Sequence, residues 1–467
     1  MIAGTLASSC TQPCKQGTVD CTCVNGDTCD AGLVCVLEIC TDPGEGVCGD
    51  GRVGRGEECD GNAVTNGACG ANCRLSCNLG YDDCNGDAED GCEIDIRTSL
   101  EHCGGCQIPC SSAGGTAACD NGNCNLTCSA GYEDCNHDST DGCEVSLASD
   151  ANNCGACGHS CLGGGCSNDR CLPMVFAAEP TTQDVALDAD FVYYSSLGTE
   201  AGSYADGAVI KMSKTARTRT PLASQQKSPA WLALDETDVY WAGLGSVSAN
   251  HLDGVIFAVA KTGGDVQSLA ENQELPGDIA LDATYVYWTT GGSSGSVGRV
   301  AKTGGTLPDF PVSGQPTPRG IVVDATKMYW TNRYGTPKGA VMVADLNGDN
   351  LAAFVDEQDG PYQLVQDATT LFWVNWETNS LMKALKSAGV ASPVQQELGV
   401  ITGIAVDGDA TYWGVDRGQG ASSIRMRAKG GGDVVSLATN IDSPGALAVD
   451  AAAVYWTSAA GIMRLAK

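Results

Sequence analysis

Two short stretches carry oxygen-bearing side chains at an alternating spacing that suits a calcium ion. The first set is Asp83, Asn85, Asp87 and Asp90, and the second is Asp134, Asn136, Asp138 and Asp141. Ca²⁺ takes six to eight oxygen ligands from a tightly curved chain, and a glycine follows each set. Ca²⁺ is therefore the one optional cofactor that the sequence predicts, and none is required. The alternative is that these side chains cap turns through nearby backbone N–H groups.

Cysteine is the second residue type that could support chemistry. All 27 cysteines lie between Cys10 and Cys171. The spacings Cys103-x-x-Cys106-x-x-x-Cys110 and Cys154-x-x-Cys157-x-x-x-Cys161 could hold zinc. Successive modules contain six, four, eight and eight cysteines, and even counts favour disulfides. Such a density belongs in an oxidising compartment, so we predict an extracytoplasmic protein, at the cell surface or secreted.

That count leaves Cys10 without a partner. The preceding Leu6-Ala-Ser-Ser resembles a bacterial lipobox, although its leucine lies one place too far upstream. Cys10 is therefore either a lipidation site or an ordinary disulfide cysteine. Residues 1–9 are interpreted as the remnant of a leader.

The last 296 residues offer few candidates for catalysis. His251 is their only histidine, which excludes a multi-histidine metal centre and leaves no Ser–His–Asp set that spacing could nominate. Their 31 acidic residues contain no pair that stands out. An enzyme is therefore the less favoured interpretation, and no catalytic residue is nominated. A secreted lyase or glycan-active hydrolase, and a structural subunit of an extracellular polymer, remain alternatives.

A sevenfold repeat organises the last 296 residues. Its aspartates are Asp188, Asp235, Asp282, Asp324, Asp367, Asp407 and Asp450. Six residues after each lies an aromatic residue: Tyr194, Trp241, Trp288, Trp330, Trp373, Trp413 or Trp456. A period of 40–47 residues built from short β-type runs is typical of β-propeller blades. The predicted fold class is all-β, a seven-bladed β-propeller preceded by small disulfide-rich, loop-rich modules.

The repeat also predicts how the ring closes. Thirteen residues before the later aspartates lie the outer-strand positions Leu222, Leu269, Pro311, Phe354, Val394 and Leu437. The same offset before Asp188 gives Val175, whereas the seventh repeat holds only three strands. We therefore expect residues 172–178 to complete the last blade, which removes the open sheet edges.

The repeat aspartates and aromatic residues are interpreted as scaffold. Each aspartate precedes a tight turn, where its carboxylate can accept backbone N–H bonds. Binding residues are expected in the loops after the second strand, which differ most between blades. The candidates on this loop face are Tyr204, His251, Asn332, Arg333, Tyr334, Asn375, Trp376, Asp416 and Arg417.

The predicted domains are 1–9, 10–47, 48–76, two eight-cysteine repeats (77–127 and 128–171) and the propeller (172–467). Cys48-Gly-Asp-Gly, which opens the third domain, resembles the cysteine-rich repeat of myxobacterial surface proteins, and residues 77–171 resemble other modules of that group. Tyr287-Trp-Thr, Tyr329-Trp-Thr and Tyr455-Trp-Thr resemble YWTD propellers. The fourth position departs from that pattern, since Thr290, Asn332 or Ser458 replaces its aspartate. These resemblances imply a cell-surface location and protein binding.

Charge narrows the class of partner. The net charge is −31, with 6 basic against 26 acidic residues up to Cys171 and 20 against 31 after it. Both parts are acidic, which argues against nucleic acid as a partner. No apolar run of 18 residues occurs, so no transmembrane segment is predicted. The expected partners are a protein or a glycan at the cell surface, with self-association and a lipid anchor as alternatives.

Overall fold

The structure, a computed structural model, describes the backbone of Cys21–Thr22, Val34–Val36 and Ile39–Thr41. It further describes residues 48–49, 53, 57–61, 64–246, 249–291, 294–305, 307–418 and 420–467. The expectations for residues 1–9, Cys10 and most of the 10–47 module lie outside these residues. The chain forms two compact units, residues 1–158 and 159–467. Within the described ranges the regular structure is β-strand, and no α-helix occurs.

Short hairpins and disulfides make up the first unit. Its strands are β1 (Cys21–Thr22), β2 (Val34–Val36), β3 (Ile39–Thr41), β4 (Gly67–Cys69), β5 (Leu75–Cys77), β6 (Tyr81–Asp82), β7 (Ile94–Asp95), β8 (Gly115–Asp120), β9 (Asn123–Cys128), β10 (Tyr132–Glu133) and β11 (Val145–Ser146). They form a sheet ordered β1-β3-β2 and the hairpins β4-β5, β6-β7, β8-β9 and β10-β11.

The disulfides of this unit repeat with the sequence. They include Cys48–Cys73, Cys59–Cys69, Cys77–Cys92, Cys84–Cys106, Cys103–Cys119, Cys110–Cys124, Cys128–Cys143 and Cys135–Cys157. Two bridges of the first eight-cysteine repeat therefore recur at the same offset in the second. Every cysteine of the two candidate zinc spacings is disulfide-bonded. The disulfide interpretation is confirmed, since no thiolate remains at these positions to bind zinc.

The second unit begins with a hairpin and then forms the propeller. Its first strands are β12 (Cys166–Ser167), β13 (Arg170–Cys171) and β14 (Met174–Ala177). Blades one to three contain β15 (Thr182–Leu187), β16 (Phe191–Ser196), β17 (Gly207–Ser213), β18 (Arg219–Gln226), β19 (Pro229–Leu234), β20 (Asp238–Gly243), β21 (Gly254–Ala260), β22 (Gln267–Gln273), β23 (Pro276–Leu281), β24 (Tyr285–Thr290), β25 (Gly295–Ala301) and β26 (Asp309–Gln315).

The remaining strands form blades four to seven. Blades four and five contain β27 (Pro318–Val323), β28 (Lys327–Asn332), β29 (Gly339–Asp345), β30 (Ala352–Gln358), β31 (Pro361–Gln366), β32 (Thr370–Asn375), β33 (Ser380–Leu385) and β34 (Ala391–Gln396). Blades six and seven contain β35 (Val400–Val406), β36 (Ala410–Asp416), β37 (Ser422–Ala428), β38 (Val435–Ile441), β39 (Leu447–Val449), β40 (Ala453–Ser458) and β41 (Gly461–Ala466).

Seven four-stranded antiparallel sheets confirm the predicted propeller. Blades one to six each use four consecutive strands, whereas the seventh is ordered β14-β41-β40-β39. Val175 pairs with Met463, as the offset of the repeat predicted. The inner strands, which begin each blade and surround the centre of the ring, are β15, β19, β23, β27, β31, β35 and β39.

The core lies between neighbouring blades. The six repeat tryptophans are at most 1% exposed. In one cluster, Tyr240 and Ile256 of blade two pack with Ile279 and Trp288 of blade three. Each aromatic pair therefore fills the gap between two sheets, and this packing confirms its predicted scaffold role.

The segment before β14 belongs to the second unit because it bonds to the last blade. The Arg464 guanidinium donates to the Leu162 carbonyl, and a His159 ring nitrogen lies 2.6 Å from the Lys467 carbonyl. Cys161 and Cys171 close a short loop here. The second unit therefore starts at His159, thirteen residues before the boundary expected from the loss of cysteine.

The repeat aspartates join the blades through lysines as well as capping turns. In Asp235, Oδ1 accepts the Asp238 N–H at 2.8 Å, while Oδ2 accepts Lys302 of the next blade at 3.0 Å. Six of the seven aspartates have such a lysine: Asp188–Lys261, Asp235–Lys302, Asp324–Lys386, Asp367–Lys429, Asp407–Lys467 and Asp450–Lys214. By strand register, Leu346 replaces the lysine that would face Asp282. The scaffold interpretation is confirmed, and its ionic component is new.

These pairs predict that acid weakens the propeller. Burial alone would raise the pKa of Asp235, but backbone N–H bonds and Lys302 together lower it to about 2. The unfolded-state pKa is about 3.9, so this stabilisation is present above about pH 4 and is lost as pH falls through about 2. We expect the thermal midpoint to fall steeply between pH 4 and pH 2. Differential scanning calorimetry at steps across this range measures it.

The matched control is Asp282, which lacks the lysine. Asp235→Asn should remove more of the acid dependence than Asp282→Asn, by up to about 2 kcal/mol of unfolding free energy. Equal changes in the two variants would contradict an ionic contribution from the Lys302 pair.

Candidate functional site

A cavity of about 520 Å³ lies where the inner strands meet. Residues from the inner ends of all seven blades line it. Its volume falls within the range of roughly 300–1,000 Å³ that is usual for small-molecule sites. The centre of the ring is therefore a concave candidate site, separate from the predicted loop face.

Different side chains occupy equivalent positions around this cavity. Four residues before each repeat aspartate stand, in blade order, Asp184, Trp231, Asp278, Gly320, Gln363, Gly403 and Ala446, all of which line it. One residue earlier, Arg319 and Tyr362 line it from blades four and five. Charged, amide and aromatic groups are thus concentrated in the first five blades, and small residues occupy the last two.

Two carboxylates of the cavity are held by backbone N–H groups. Asp184 accepts the N–H of Val185 and that of Leu232 in the next blade, each at 2.8 Å. Asp278 accepts equivalent bonds, the longer one at 3.1 Å from Ile321. Both carboxylates are therefore fixed in orientation, and each retains lone pairs for further hydrogen bonds.

Burial disfavours the charged form of both groups. It raises the pKa of Asp184 to about 6 despite the two N–H bonds. It raises the pKa of Asp278 to about 7, and the nearby negative charge of Asp184 adds to the effect. Perturbed carboxyl groups in a cavity are frequent at functional sites, so this pair belongs to the candidate site.

An arginine surrounded by aromatic rings borders the cavity. The guanidinium carbon of Arg333 lies 5.3 Å from the ring centroid of Tyr334, 5.7 Å from that of Tyr362 and 5.6 Å from that of Trp376. The Tyr362 and Trp376 centroids are 5.6 Å apart, and both residues also line the cavity. Trp376 is 38% exposed and Tyr334 50% exposed. We call these four residues the aromatic cage.

Strand register explains why the cage meets the cavity. Pro361 on β31 pairs with Asn375 on β32, so Tyr362 lies near the loop that contains Trp376. Likewise, Pro318 pairs with Asn332, which brings Arg319 and Arg333 to the same end of blade four. Loops after the second strand therefore leave the sheet at the end where the inner strand begins.

Three predicted binding residues meet in the cage: Arg333, Tyr334 and Trp376. Asn332 and Asn375 instead lie in the blade interior, each donating to a buried glutamine, Gln315 or Gln358. Those glutamines also accept the indole N–H of Trp330 and Trp373. The two asparagines, each 4% exposed, support the tryptophans and do not form part of the accessible loop surface.

The other predicted binding residues lie in different loops. Tyr204 and His251 have left-handed backbones, and their carbonyls accept N–H bonds from Ser228 and Leu275 just before the next blade. Asp416 accepts three hydrogen bonds, one from a backbone N–H and two from serine hydroxyls, the shortest at 2.7 Å. Arg417 lies 3.7 Å from the buried Glu397. A binding role for these four stays a prediction.

The candidate calcium loops are closed by their own hydrogen bonds. Asn85 accepts the Asp87 N–H at 2.6 Å and donates to Asp90 at 3.0 Å. The equivalent bonds recur in the second set, in which Asn136 donates to Asp141 at 3.0 Å. Asp83 and Asp138 accept backbone N–H bonds as well, whereas Oδ1 of Asp134 is buried without a hydrogen-bond partner. These turns match the capping alternative, and calcium binding stays a prediction.

A group of metal-ligating residue types lies nearby. Asp82, Cys84 and Cys106 place their ligand atoms within 4.8 Å of one another. The two cysteines form a disulfide, so they are not thiolate ligands. In the part of the chain that the structure describes, no helix is long and apolar enough to span a membrane. The disulfides are consistent with an extracellular location.

Comparison with known proteins shows the fold and not the family. No family model matches this sequence, and neither does any curated protein. The resemblance to myxobacterial repeats is therefore not confirmed by a family match. Selenomethionine-substituted virginiamycin B lyase from Staphylococcus aureus is similar with a TM-score of 0.51 and 14% identity, over 63% of this chain and 98% of that one.

Two further structures are similar. A catalytically inactive virginiamycin B lyase from Staphylococcus aureus, with quinupristin, gives a TM-score of 0.50 at 14% identity, over 63% of this chain and 98% of that one. A nidogen/laminin complex gives 0.40 at 18% identity, over 49% and 89%. At 14% identity, the two lyase structures show the β-propeller fold alone.

Proposed function

We propose that this chain is an exported surface protein whose propeller binds an extracellular protein or glycan. The ligand contacts the aromatic cage and enters the cavity beside it. The observation that carries this proposal is the convergence of Arg333, Tyr334, Tyr362 and Trp376 at the mouth of a cavity.

Exposure and charge support the cage as a ligand site. Tyr, Trp and Arg are the residue types enriched at binding hot spots, because they offer large contact areas with few rotatable bonds. Trp376 and Tyr334 leave much of their apolar surface in solvent, whereas the repeat tryptophans are buried. A group of exposed rings on one surface is typical of an interaction site.

The test uses the full chain immobilised and exposed to an extracellular fraction of proteins and polysaccharides. Trp376→Ala should reduce the retained ligand at least about tenfold, since a hot-spot residue typically contributes 2 kcal/mol or more. Tyr334→Ala should have a smaller effect in the same direction. Surface plasmon resonance with the purified ligand measures the change.

Phe310→Ala is the matched control, because Phe310 is a 42% exposed aromatic residue that does not line the cavity. It should bind like the unmodified chain. Equal losses in Trp376→Ala and Phe310→Ala would contradict the cage as the site. No retained ligand, together with turnover of a polysaccharide panel, would favour the enzyme alternative.

A further inference from the structure

Among the described residues, two arginines at or beside the cavity have no carboxylate partner. Arg319 lines the cavity, and Arg333 lies against two rings that line it. In both side chains Nε is buried without a hydrogen-bond partner. A buried donor without an acceptor is unfavourable, more so when it carries charge. A ligand that supplies acceptors here therefore removes a penalty that is present in the free protein.

Most arginines of the propeller are engaged elsewhere. Ion pairs join Arg219 to Glu179 at 2.8 Å, Arg299 to Asp309 at 3.0 Å and Arg425 to Glu397 at 2.8 Å. Arg217, Arg427 and Arg464 donate to backbone carbonyls, although Nε of Arg464 is also buried without a partner. In the part of the chain that the structure describes, neither Arg319 nor Arg333 has an ion pair with a carboxylate. Of these two, Arg319 lines the cavity, and Arg333 lies beside it against Tyr362 and Trp376.

The same cavity offers acceptors and a hydroxyl as well. The Gln363 amide oxygen and the Thr402 hydroxyl are buried there without a partner. Asp184 and Asp278 add two oriented carboxyl groups, and Trp376 adds a flat apolar ring. An acidic sugar needs donors for its carboxylate, acceptors for its hydroxyl groups and an aromatic ring on which its apolar face can pack. The cavity and the adjacent cage offer all three.

We propose, as a refinement that rests on the proposed function, that the cavity selects a saccharide bearing a carboxylate. Its carboxylate binds Arg319 and Arg333, and its hydroxyls donate to Asp184 and Asp278. The apolar face of a pyranose ring packs on Trp376. A guanidinium matches a carboxylate with two parallel N–H···O bonds, which gives selectivity over a neutral sugar.

This arrangement makes binding dependent on pH. The charged or titratable side chains that line the cavity, among the described residues, are Asp184, Asp278, Arg319 and Tyr362. Burial raises the pKa of Asp184 to about 6 and that of Asp278 to about 7. Both aspartates lose their protons as pH rises through this range, and their negative charge then repels an anionic ligand. Affinity for an acidic saccharide should fall from pH 6 to pH 8.

The experiment is isothermal titration calorimetry of the full chain with trigalacturonate, neutral galactotriose and pentaglutamate. At pH 6 trigalacturonate should bind most tightly. Arg319→Gln and Arg333→Gln should each weaken it about tenfold or more, because each removes a charged hydrogen bond. Arg170→Gln, which removes the same charge at an exposed position outside the cavity, should leave it unchanged. Unaltered thermal midpoints show that the variants are folded.

Each outcome decides between the two proposals. If galactotriose binds as tightly as trigalacturonate, or the arginine variants bind normally, selection for a carboxylate is overturned. The proposed function still stands in that case, provided that Trp376→Ala weakens both sugars. Tighter binding of pentaglutamate overturns the saccharide. If no probe binds, this inference fails, whereas the proposed function is decided separately by the Trp376-dependent retention of extracellular ligand.

Discussion

Reduction of the disulfides should unfold the first unit and leave the propeller folded. Residues 77–158 contain no phenylalanine or tryptophan, and many of their buried apolar residues are cystines. A native disulfide typically contributes 2–4 kcal/mol, and this unit has many of them. The propeller instead depends on large aromatic clusters between blades. A phosphine reductant should therefore unfold the first unit while the propeller stays folded.

The chain provides separate reporters for this experiment. All eight tryptophans lie at or beyond Trp231, so tryptophan fluorescence reports on the propeller alone. Amide hydrogen exchange read by mass spectrometry reports on β8 and β9 of the first unit. We expect protection of β8 and β9 to be lost on reduction, with little change in the fluorescence maximum. Retained protection there would show that side-chain packing, and not cross-linking, holds the first unit.

Removing one ring from the closing strand should destabilise the whole propeller. Phe176 is 1% exposed, packs edge-to-face on Tyr455 at 5.5 Å and contacts the guanidinium groups of Arg217 and Arg464 at 4.9 Å. Phe176→Ala should lower the free energy of unfolding by about 3–5 kcal/mol, because it removes buried area and leaves a cavity. Urea denaturation followed by tryptophan fluorescence measures the change.

The neighbouring residue supplies the control. Val175 lies on the same strand and pairs with Met463, yet it is 40% exposed. Val175→Ala should change stability by less than about 1 kcal/mol. If the two variants lose similar stability, the closing strand acts through its backbone ladder and not through the buried ring.

Periodicity predicted most of the propeller from the sequence. Repetition of an aspartate and a later aromatic residue gives the number of blades, and the offset to Val175 gives the closure. Both predictions come from comparing the repeats within this one sequence. The aspartate–lysine pairs are not evident from the sequence, because Lys302 lies 67 positions after Asp235 and belongs to another blade. A contact that crosses blades becomes evident only from the three-dimensional ring.

The cavity is not evident from the sequence for a related reason. Asp184 and Asp278 lie inside a strand, and alternation alone does not show which face of an inner strand meets the centre of a ring. A comparison of the repeats at that position would have shown aspartate, tryptophan and glutamine where a uniform core residue was expected. Asn332 and Asn375 were expected in the loops after the second strand, but each is the last residue of that strand. Their side-chain amides point into the blade because each donates a hydrogen bond to a glutamine 17 residues earlier.

The pairing of β14 with β41 has a consequence for the order of folding. The two strands are separated by nearly the whole propeller sequence, so the seventh sheet stays incomplete until β41 has been synthesised. The disulfide loops of the first unit span 10–25 residues and can close much earlier. Local contacts form faster than distant ones. We therefore expect the disulfides of the first unit to close before the ring does, and the incomplete seventh sheet to present free strand edges until then.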